Sequence, residues 1–283
     1  MHWKVRQQFI PLEKTLLMGV LNLTPDSFSD GGRFSDVNQA LDQAALMIRE
    51  GADILDLGAE STRPGAFPVS AAQELDRLLP VLERLLKNTS TLISIDTTKS
   101  EVARVCLEKG AHIINDVSGL MDSGPAMAEL IREFEAGLVL MHRRGTPLTM
   151  NSMTHYQDLI PEICGELELR IQSALSRGVL KEQIVLDPGL GFAKNPEDSF
   201  KMMAHLESFL DLGFPVLAGP SRKSFIGKVT GRSVEEREFG TAAAVAIAVI
   251  KGVHIVRVHA VGAMRDAVRV AEAIKGENYV RSF

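Results

Sequence analysis

The side chains best suited to chemistry in this chain lie at the ends of short apolar runs. About eight such runs end in, or lead directly to, a carboxylate, amide, hydroxyl, imidazole or cationic side chain. These residues are Asn22, Glu60, Thr62, Arg63, Asp96, Asn115, Asp116, His142, Asp187, Ser221, Arg222, Lys223, Arg257 and His259. One such residue alone is most often a cap or a turn residue. Several separate runs that end in this way indicate one shared site.

Four of these side chains carry or can gain a positive charge, although the chain as a whole is acidic. It has 31 Lys+Arg against 36 Asp+Glu and a net charge of −5. Arg63, Lys223, Arg257 and His259 would therefore concentrate positive charge in one place. Such a concentration is typical of a phosphate or diphosphate site.

Three other residues favour a polar heterocycle as the ligand. Asp96, Asn115 and Asp187 fall at strand ends where a carboxylate is partly desolvated and needs hydrogen-bond donors. A ring with adjacent N–H and NH2 groups offers two donors to one carboxylate, and an amide can both donate and accept. A 2-amino-4-oxo-pyrimidine ring fits this pattern.

Oxygen ligands predict Mg²⁺ rather than zinc. Asn22, with Asp30 nearby, can hold Mg²⁺ beside a substrate diphosphate, because Mg²⁺ uses few protein oxygens there. The sequence has no Cys/His cluster, no Gly-x-Ser-x-Gly elbow and no Walker A motif. The glycines at 189–192 lack the full dinucleotide fingerprint.

A repeated unit of apolar run and amphipathic stretch must position these residues. The predicted strands are Thr15–Asn22, Asp53–Gly58, Thr91–Asp96, Ala111–Val117, Gly137–His142, Gln183–Pro188, Pro215–Gly219 and His254–Val258. The predicted helices are Asp36–Glu50, Ala71–Leu86, Ser100–Glu108, Pro125–Phe134, Tyr156–Arg177, Pro196–Asp211, Ser233–Lys251 and Val261–Ile274. Strand–helix alternation predicts a parallel sheet. About eight units without a linker favour a single-domain α/β protein with a (β/α)8 TIM barrel; a doubly wound open sheet is the alternative.

Three connections are long and rich in Gly, Pro, Ser and Asp. They are Leu23–Ser35, Glu60–Val69 and Pro220–Arg232. Long loops in compact domains are usually functional or disordered. Phe28 and Phe67 favour loops that fold over a ligand.

Composition limits the remaining possibilities. A hydrophobic fraction of 45% with 24% charged residues excludes a disordered chain, and the acidic balance argues against a nucleic-acid binder. The first residues lack a leader-like apolar region, and Cys106 and Cys164 do not form a disulfide framework, so we expect a cytoplasmic protein with reduced thiols. The apolar run Thr241–Ile250 is too short to span a bilayer and predicts a buried helix that packs against another subunit. We expect one domain over 1–283, with 1–14 as an N-terminal extension, and no membrane partner.

The motifs closely resemble those of the dihydropteroate synthase family. The matching stretches are MGVLNLTPDSFSDGG (18–32), DLGAESTRPG (56–65), SIDTT (94–98), INDVSG (114–119), LMH (140–142), DPGLGF (187–192), AGPSRKSF (218–225) and RVH (257–259). They occur in the family order. The resemblance implies a TIM barrel, a homodimer and a step of folate biosynthesis. In that step 4-aminobenzoate is joined to 6-hydroxymethyl-7,8-dihydropterin diphosphate, with release of diphosphate.

The resemblance also implies residue roles. The implied pterin-binding residues are Asp96, Asn115, Met141, Asp187, Gly219 and Lys223. The implied diphosphate ligands are Asn22, Arg63, Arg257 and His259, with Mg²⁺ on Asn22. The implied aminobenzoate pocket consists of Phe28, Thr62, Arg63, Pro64, Phe192, Lys223 and Ser224. The implied catalytic residues are Asp96, Lys223, Arg257 and His259.

Electronics then predict the course of the reaction. Diphosphate leaves readily once Mg²⁺, Arg257 and His259 neutralise its charge, so we expect an SN1-like loss of diphosphate before the amine attacks. Two alternatives stay open. A pterin-dependent methyltransferase domain would share Asp96, Asn115 and Asp187 but has no use for the diphosphate and aminobenzoate motifs. A non-catalytic paralogue would bind pterin without turnover.

Overall fold

Eight parallel strands form the centre of the computed structural model, which describes residues 1–24 and 32–276, without the side chains of 32–35. An antiparallel pair precedes them. In chain order the strands are β1 His2–Val5, β2 Gln8–Pro11, β3 Leu16–Asn22, β4 Ile54–Gly58, β5 Leu92–Asp96, β6 Ile113–Asp116, β7 Gly137–Met141, β8 Ile184–Asp187, β9 Leu217–Ala218 and β10 Ile255–Val258. The order in the large sheet is β8-β7-β6-β5-β4-β3-β10-β9.

The two ends of this sheet meet, which confirms the predicted barrel. Leu186 of β8 forms a parallel bridge with Val216, directly before β9, and its N–H donates to the Pro215 carbonyl oxygen at 2.8 Å. This seam is the weakest contact in the ring, because β9 is only two residues long. A doubly wound open sheet is therefore excluded.

Helices follow the strands as the alternation predicts. Their bounds are α1 Gly32–Glu50, α2 Ala71–Asn88, α3 Ser100–Lys109, α4 Pro125–Glu133, α5 Leu159–Ser176, α6 Pro196–Ala204, α7 Glu207–Leu210, α8 Ser224–Thr230, α9 Glu238–Ile250 and α10 Val261–Lys275. A capping box at Ser70 and Gln73 starts α2, and Asn195 caps α6 before Pro196.

Two helix predictions and two loop predictions were wrong in part. The helix predicted over Pro196–Asp211 is divided into α6 and α7, and the turn between them buries Leu206 fully. The helix predicted from Ser233 starts as a short 3-10 helix, Val234–Glu236, before α9. The loop predicted over Pro220–Arg232 contains α8, because Phe225 and Ile226 are buried. Helix α1 begins at Gly32, within the first predicted loop.

The N-terminal hairpin closes the lower end of the barrel. Trp3 of β1 is fully buried, and its indole Nε1 donates to the Gln183 carbonyl oxygen at 2.8 Å. It belongs to a separate apolar cluster, together with Val5, Leu12, Met18, Ile54, Ile113, Val139, Val185, Leu217 and Ile255. Most of these residues come from the barrel strands. The hairpin therefore forms the floor of the barrel.

Alternation along the strands divides the barrel interior into two layers. Side chains two residues apart on a strand point to the same face. Above Ile54 in β4 lies Asp56, and above Ile255 in β10 lies Arg257. The lower layer is thus apolar, and the upper layer, at the carboxyl ends of the strands, is polar. Enzymes of this fold place their chemistry at that upper end.

Candidate active site

Four positions at the upper ends of adjacent strands pair directly in the register of the sheet. They are Asn22, Gly58, Asp96 and Asn115, in that order across β3, β4, β5 and β6. A Cβ atom on Gly58 would lie 3.6 Å from Asp96 Oδ2 and 3.8 Å from Asn22 Oδ1. Both oxygen atoms therefore face the same small space beside Gly58.

Arg257 crosses the barrel interior to two carboxylates. Its Nε donates to Asp56 Oδ2 at 2.6 Å, and its Nη2 donates to Asp96 Oδ2 at 2.8 Å. Asp56 Oδ2 also accepts a hydrogen bond from Asn115 Nδ2 at 3.0 Å. These four side chains form a connected polar network in the upper layer.

Three acceptor atoms of this layer are buried without a hydrogen-bond partner among the described residues. They are Asp56 Oδ1, Asn115 Oδ1 and Ser94 Oγ. A buried acceptor that stays unpaired costs about 1–3 kcal/mol. Several of them in one place indicate that the interior is built to receive a ligand rich in donors.

Asp56 is a member of this network to which the sequence analysis gave no role. It forms a salt bridge with Arg257 and is part of the site. One signal was present in the sequence. Asp56 lies two residues before Gly58 on a strand that otherwise reads as apolar, so alternation places it on the same face as Gly58.

Burial dominates the titration of Asp96. Desolvation raises the pKa of its carboxyl to about 7, although Arg257 lowers it and Asp56 raises it further. Any cation or N–H donor beside such a buried carboxyl group stabilises its ionised form. A strongly shifted pKa in a cleft is a mark of a functional group.

Asp187 stands at the upper end of β8, next to Met141 in the register. Its Oδ1 accepts the Gly189 N–H at 2.7 Å, and desolvation raises its pKa. Gly189 has a φ of +74°, and a Cβ there would lie 2.0 Å from the His142 carbonyl oxygen. Only glycine fits this turn, and the same Cβ atom would also lie 3.4 Å from Met141 Cγ.

Lys223 closes the other side of the same space. Its Nζ lies 4.2 Å from the centroid of the Phe192 ring, a cation–π contact. Desolvation lowers the pKa of Lys223 to about 8, while Asp187 raises it. At pH 7 the ammonium group is therefore still largely charged. Gly219 lies near Arg257. A Cβ atom built on this glycine would be 3.8 Å from the Cβ atom of Arg257.

His259 enters the site as a neutral imidazole, which corrects its place among the expected cations. Burial and the nearby cations Arg257, Arg222, Lys223 and Arg63 lower its pKa to about 3. The Ser221 hydroxyl oxygen accepts the His259 backbone N–H at 3.2 Å and lies 2.9 Å from Nδ1. In the tautomer that carries the ring proton on Nε2, the hydroxyl donates to Nδ1 and the Nε2–H is available to an anion.

The loop 60–69 carries three further predicted residues, Thr62, Arg63 and Pro64. Arg63, Pro64 and Phe67 are exposed, and Thr62 lines a cavity of about 500 Å³ between this loop and the loops after β5, β6 and β7. Ser224 is exposed at the start of α8. Phe28 and Asp30 lie outside the described residues.

Several of the other polar strand-end residues have structural contacts. The carboxylate of Asp116 accepts the N–H groups of Ser118 and Leu120 in its own turn. Arg222 forms an ion pair with Glu238. His142 is fully buried with a pKa lowered to about 3, chiefly by desolvation and then by Lys194.

The oxygen donors fit the predicted metal ion. Asn22 Oδ1 faces the same space as Asp96 Oδ2, and Mg²⁺ accepts one or two such oxygens when phosphate supplies others. Within residues 1–24 and 32–276, no group of three or more His, Cys, Asp or Glu side chains could hold a metal ion by itself. Asn22 therefore fits an ion that a diphosphate helps to bind.

Known proteins match this chain in sequence over most of its length. A family described as pterin binding enzymes matches residues 18–259. The dihydropteroate synthase of Synechocystis is 46% identical over 263 residues, which are 93% of this chain and 91% of that protein.

The chain belongs to the dihydropteroate synthase family. It is therefore a transferase. The Yersinia pestis dihydropteroate synthase, solved with a sulfonamide drug complex, matches with a TM-score of 0.91 and 37% identity over 97% of this chain and 99% of that one. The Xanthomonas albilineans enzyme, solved with 4-aminobenzoic acid, matches with a TM-score of 0.90 and 39% identity over 98% and 99%. No helix in the described part of the chain combines the length and apolar character needed to cross a membrane.

Proposed function

We propose that this enzyme condenses 4-aminobenzoate with 6-hydroxymethyl-7,8-dihydropterin diphosphate to give 7,8-dihydropteroate and diphosphate. The observation that carries the proposal is the upper layer of the barrel, where buried acceptors without partners adjoin cationic side chains. Family membership supports the same reaction, as does the 4-aminobenzoic acid in the X. albilineans structure.

The pterin ring is the proposed ligand of the upper layer. Its guanidine-like edge presents donors to Asp187, and Asn115 Oδ1 accepts a further N–H. Met141 and Gly219 pack against the ring, and Lys223 donates to its carbonyl group. Pairing these buried acceptors recovers the free energy that their burial costs.

The diphosphate extends from the ring towards Asn22, Arg63, Arg257 and His259. When bound on Asn22, Mg²⁺ supplies positive charge to the diphosphate oxygens. Arg63 and Arg257 add fixed positive charge, and His259 Nε2 donates a hydrogen bond. These contacts stabilise the charge that the leaving diphosphate develops as the carbon–oxygen bond to the pterin methylene breaks.

Bond breaking before attack explains the role of Asp96. The departing diphosphate takes the bonding electron pair, and the dihydropterin ring delocalises the positive charge left on the methylene. The Asp96 carboxylate lies beside that charge. The neutral amine of 4-aminobenzoate then forms the carbon–nitrogen bond and loses one proton to solvent, so the step needs no strong general base.

The aminobenzoate pocket is completed by loops. Phe192 and Lys223 form one wall, Ser224 receives the carboxylate, and Thr62, Arg63 and Pro64 close from the loop 60–69, with Phe28 from the first loop. Closure keeps water from the cationic methylene, which water would convert into the hydroxymethyl pterin.

One assay tests the reaction and separates it from the two alternatives. The enzyme is incubated with Mg²⁺ and pterin diphosphate, with and without 4-aminobenzoate, and diphosphate and dihydropteroate are measured. Equal amounts of both products, dependent on 4-aminobenzoate, support the proposal. Pterin binding without either product would indicate the non-catalytic paralogue. A parallel incubation with methyltetrahydrofolate and a methyl acceptor tests the methyltransferase alternative, which methyl transfer would indicate and which the dihydropteroate synthase relatives already disfavour.

We also propose that the enzyme is a homodimer and that it is cytoplasmic. Helices α9 and α10 pack on each other and expose Phe239, Ile247, Ile250, Val270 and Ile274. We propose that two copies bury this surface in a homodimer, because contiguous exposed apolar area marks protein contacts. The free thiols of Cys106 and Cys164 support a cytoplasmic setting. Sedimentation of the wild type against Ile247→Asp tests the dimer.

A further inference from the structure

The loop 60–69 is closed at its base by one carboxylate. Glu60 Oε1 accepts the Val69 N–H at 2.8 Å, which joins the two ends of the loop. The Glu60 side chain is partly buried, with 16% of its surface exposed. Arg77 strengthens the same base, because its Nη1 donates to the Ala59 carbonyl oxygen at 2.7 Å.

The other oxygen of the same carboxylate is tied to a lysine. Lys99 Nζ lies 2.7 Å from Glu60 Oε2 and 2.7 Å from Glu74 Oε2. Glu74 is fully buried. Burial works to lower the pKa of Lys99, but the bonds to Glu60 and Glu74 outweigh it and raise the pKa. The ammonium group thus holds two carboxylates that would otherwise repel each other.

Lys99 connects this base to the pterin side of the site. It lies shortly after Asp96 on the same segment, at the start of α3, and its backbone N–H donates to Thr97 Oγ1 at 3.2 Å. Lys99 therefore links the base of the loop to the segment that follows Asp96.

The tip of the loop is held in a different way. The Gly65 N–H donates to the Pro147 carbonyl oxygen at 2.9 Å, and the Ala66 N–H donates to the Arg63 carbonyl oxygen at 3.1 Å. Arg63 and Pro64 are exposed. The base of the loop is thus anchored by buried charge, whereas the tip rests on a neighbouring loop through a backbone contact.

We propose that Glu60 and Lys99 are positioning residues for the second substrate. They fix the base of the loop so that Thr62, Arg63 and Pro64 close over 4-aminobenzoate at a set distance from the pterin. This inference rests on the proposed function. It predicts that loss of the anchor weakens 4-aminobenzoate much more than pterin diphosphate, because the loop supplies only Arg63 to the diphosphate, which Asn22, Arg257 and His259 also bind.

Two matched variants isolate the anchor. Glu60→Ala removes both the Val69 bond and the ion pair. Glu74→Gln alters the other carboxylate on Lys99 without touching the loop. Glu60→Gln keeps an oxygen that can accept the Val69 N–H and serves as the conservative variant.

Steady-state kinetics of the three variants give the first readout. We expect Glu60→Ala to raise the KM for 4-aminobenzoate about tenfold, with the KM for pterin diphosphate within about twofold of wild type. Glu60→Gln should recover part of the loss, and Glu74→Gln should change neither KM, although its unfolding temperature falls. Equal rises in both KM values for Glu60→Ala, or no change in the KM for 4-aminobenzoate, would overturn the inference.

Hydrogen exchange gives a second readout that does not need turnover. The amide of Val69 should exchange faster in Glu60→Ala than in Glu74→Gln, while amides of β5 keep their protection. Unchanged exchange at Val69 would contradict the anchor itself. If the wild type forms no dihydropteroate, the proposed function fails, and the exchange result still decides whether Glu60 closes the loop.

Discussion

The lower and upper layers of the barrel interior are built on the same strands but have opposite chemistry. In β4 a step of two residues leads from Ile54 to Asp56, and in β10 from Ile255 to Arg257. The lower layer is apolar and is closed by Trp3. Its side chains form a hydrophobic cluster that is separate from the main core. The upper layer contains buried charges and acceptors without partners.

This contrast shows where stability and function are separated. Apolar burial in the floor stabilises the fold, since a fully buried large side chain contributes about 1.5–3 kcal/mol. Buried carboxylates in the upper layer oppose folding, because the charged form is desolvated. We infer that the polar side chains of the upper layer serve ligand binding. The apolar burial in the floor offsets the free energy that burying the carboxylates costs.

The largest expected effect lies in the upper layer. Asp96→Asn should lower kcat/KM about a thousandfold, because the carboxylate no longer stabilises the cationic ring. The unfolding temperature at pH 8 should stay unchanged or rise, because a group whose pKa is raised to about 7 costs free energy when it is ionised in the folded state. Steady-state kinetics and calorimetry check both parts. A large loss of stability with normal turnover would remove the distinction between the layers.

The floor should respond in the opposite way. Trp3→Ala should lower the free energy of unfolding by about 3–5 kcal/mol, because it leaves a cavity under the barrel and an unpaired Gln183 carbonyl group. Once folded, the variant should keep its kcat/KM. Phe9→Ala, which removes an exposed ring from the same hairpin, is the control and should cost under about 0.5 kcal/mol. Denaturation followed by circular dichroism measures both variants, and equal losses would contradict the assignment of Trp3 to the floor.

A pH-dependent effect tests the buried imidazole of His142, directly after the upper end of β7. Burial lowers the pKa of His142 to about 3 in the folded protein from about 6.5 for an exposed histidine, so between these pH values the unfolded chain binds more protons. The stability from this group is present above pH 6.5 and is lost as the pH falls towards 3, at up to about 1.4 kcal/mol per pH unit. Lys194, Glu166 and Arg170 face this ring.

The matched variants for this effect are His142→Gln and His2→Gln, since His2 is exposed in the hairpin. Urea titrations at several pH values between 4 and 7 should show a shallower pH dependence for His142→Gln only. The same slope in His142→Gln and the wild type would assign the dependence to other groups.

Much of the fold followed from the sequence because parallel strands buried on both faces read as continuous apolar runs. The strand ends at Asn22, Asp96 and Asn115 were located for the same reason. The division of the predicted helix at His205 and the helix hidden in the loop before Gly231 were missed, since both depend on which side chains the core can bury.

Contacts between distant segments could not be predicted from the sequence. Nothing in it links Arg257 to Asp56 across the barrel, and the neutral state of His259 depends on burial and on cations from other loops. Glu60 and Lys99 were separate polar residues until the fold brought them together. Alternation could have located Asp56, but it could not have supplied its partner.

The most direct measurement of the central claim is a crystal structure with pterin diphosphate, Mg²⁺ and 4-aminobenzoate bound. We predict the ring edge against Asp187 and Asn115 in the upper layer, with the diphosphate at Asn22, Arg63 and His259. A ring bound outside the barrel, or a diphosphate that contacts none of these three residues, would contradict the account.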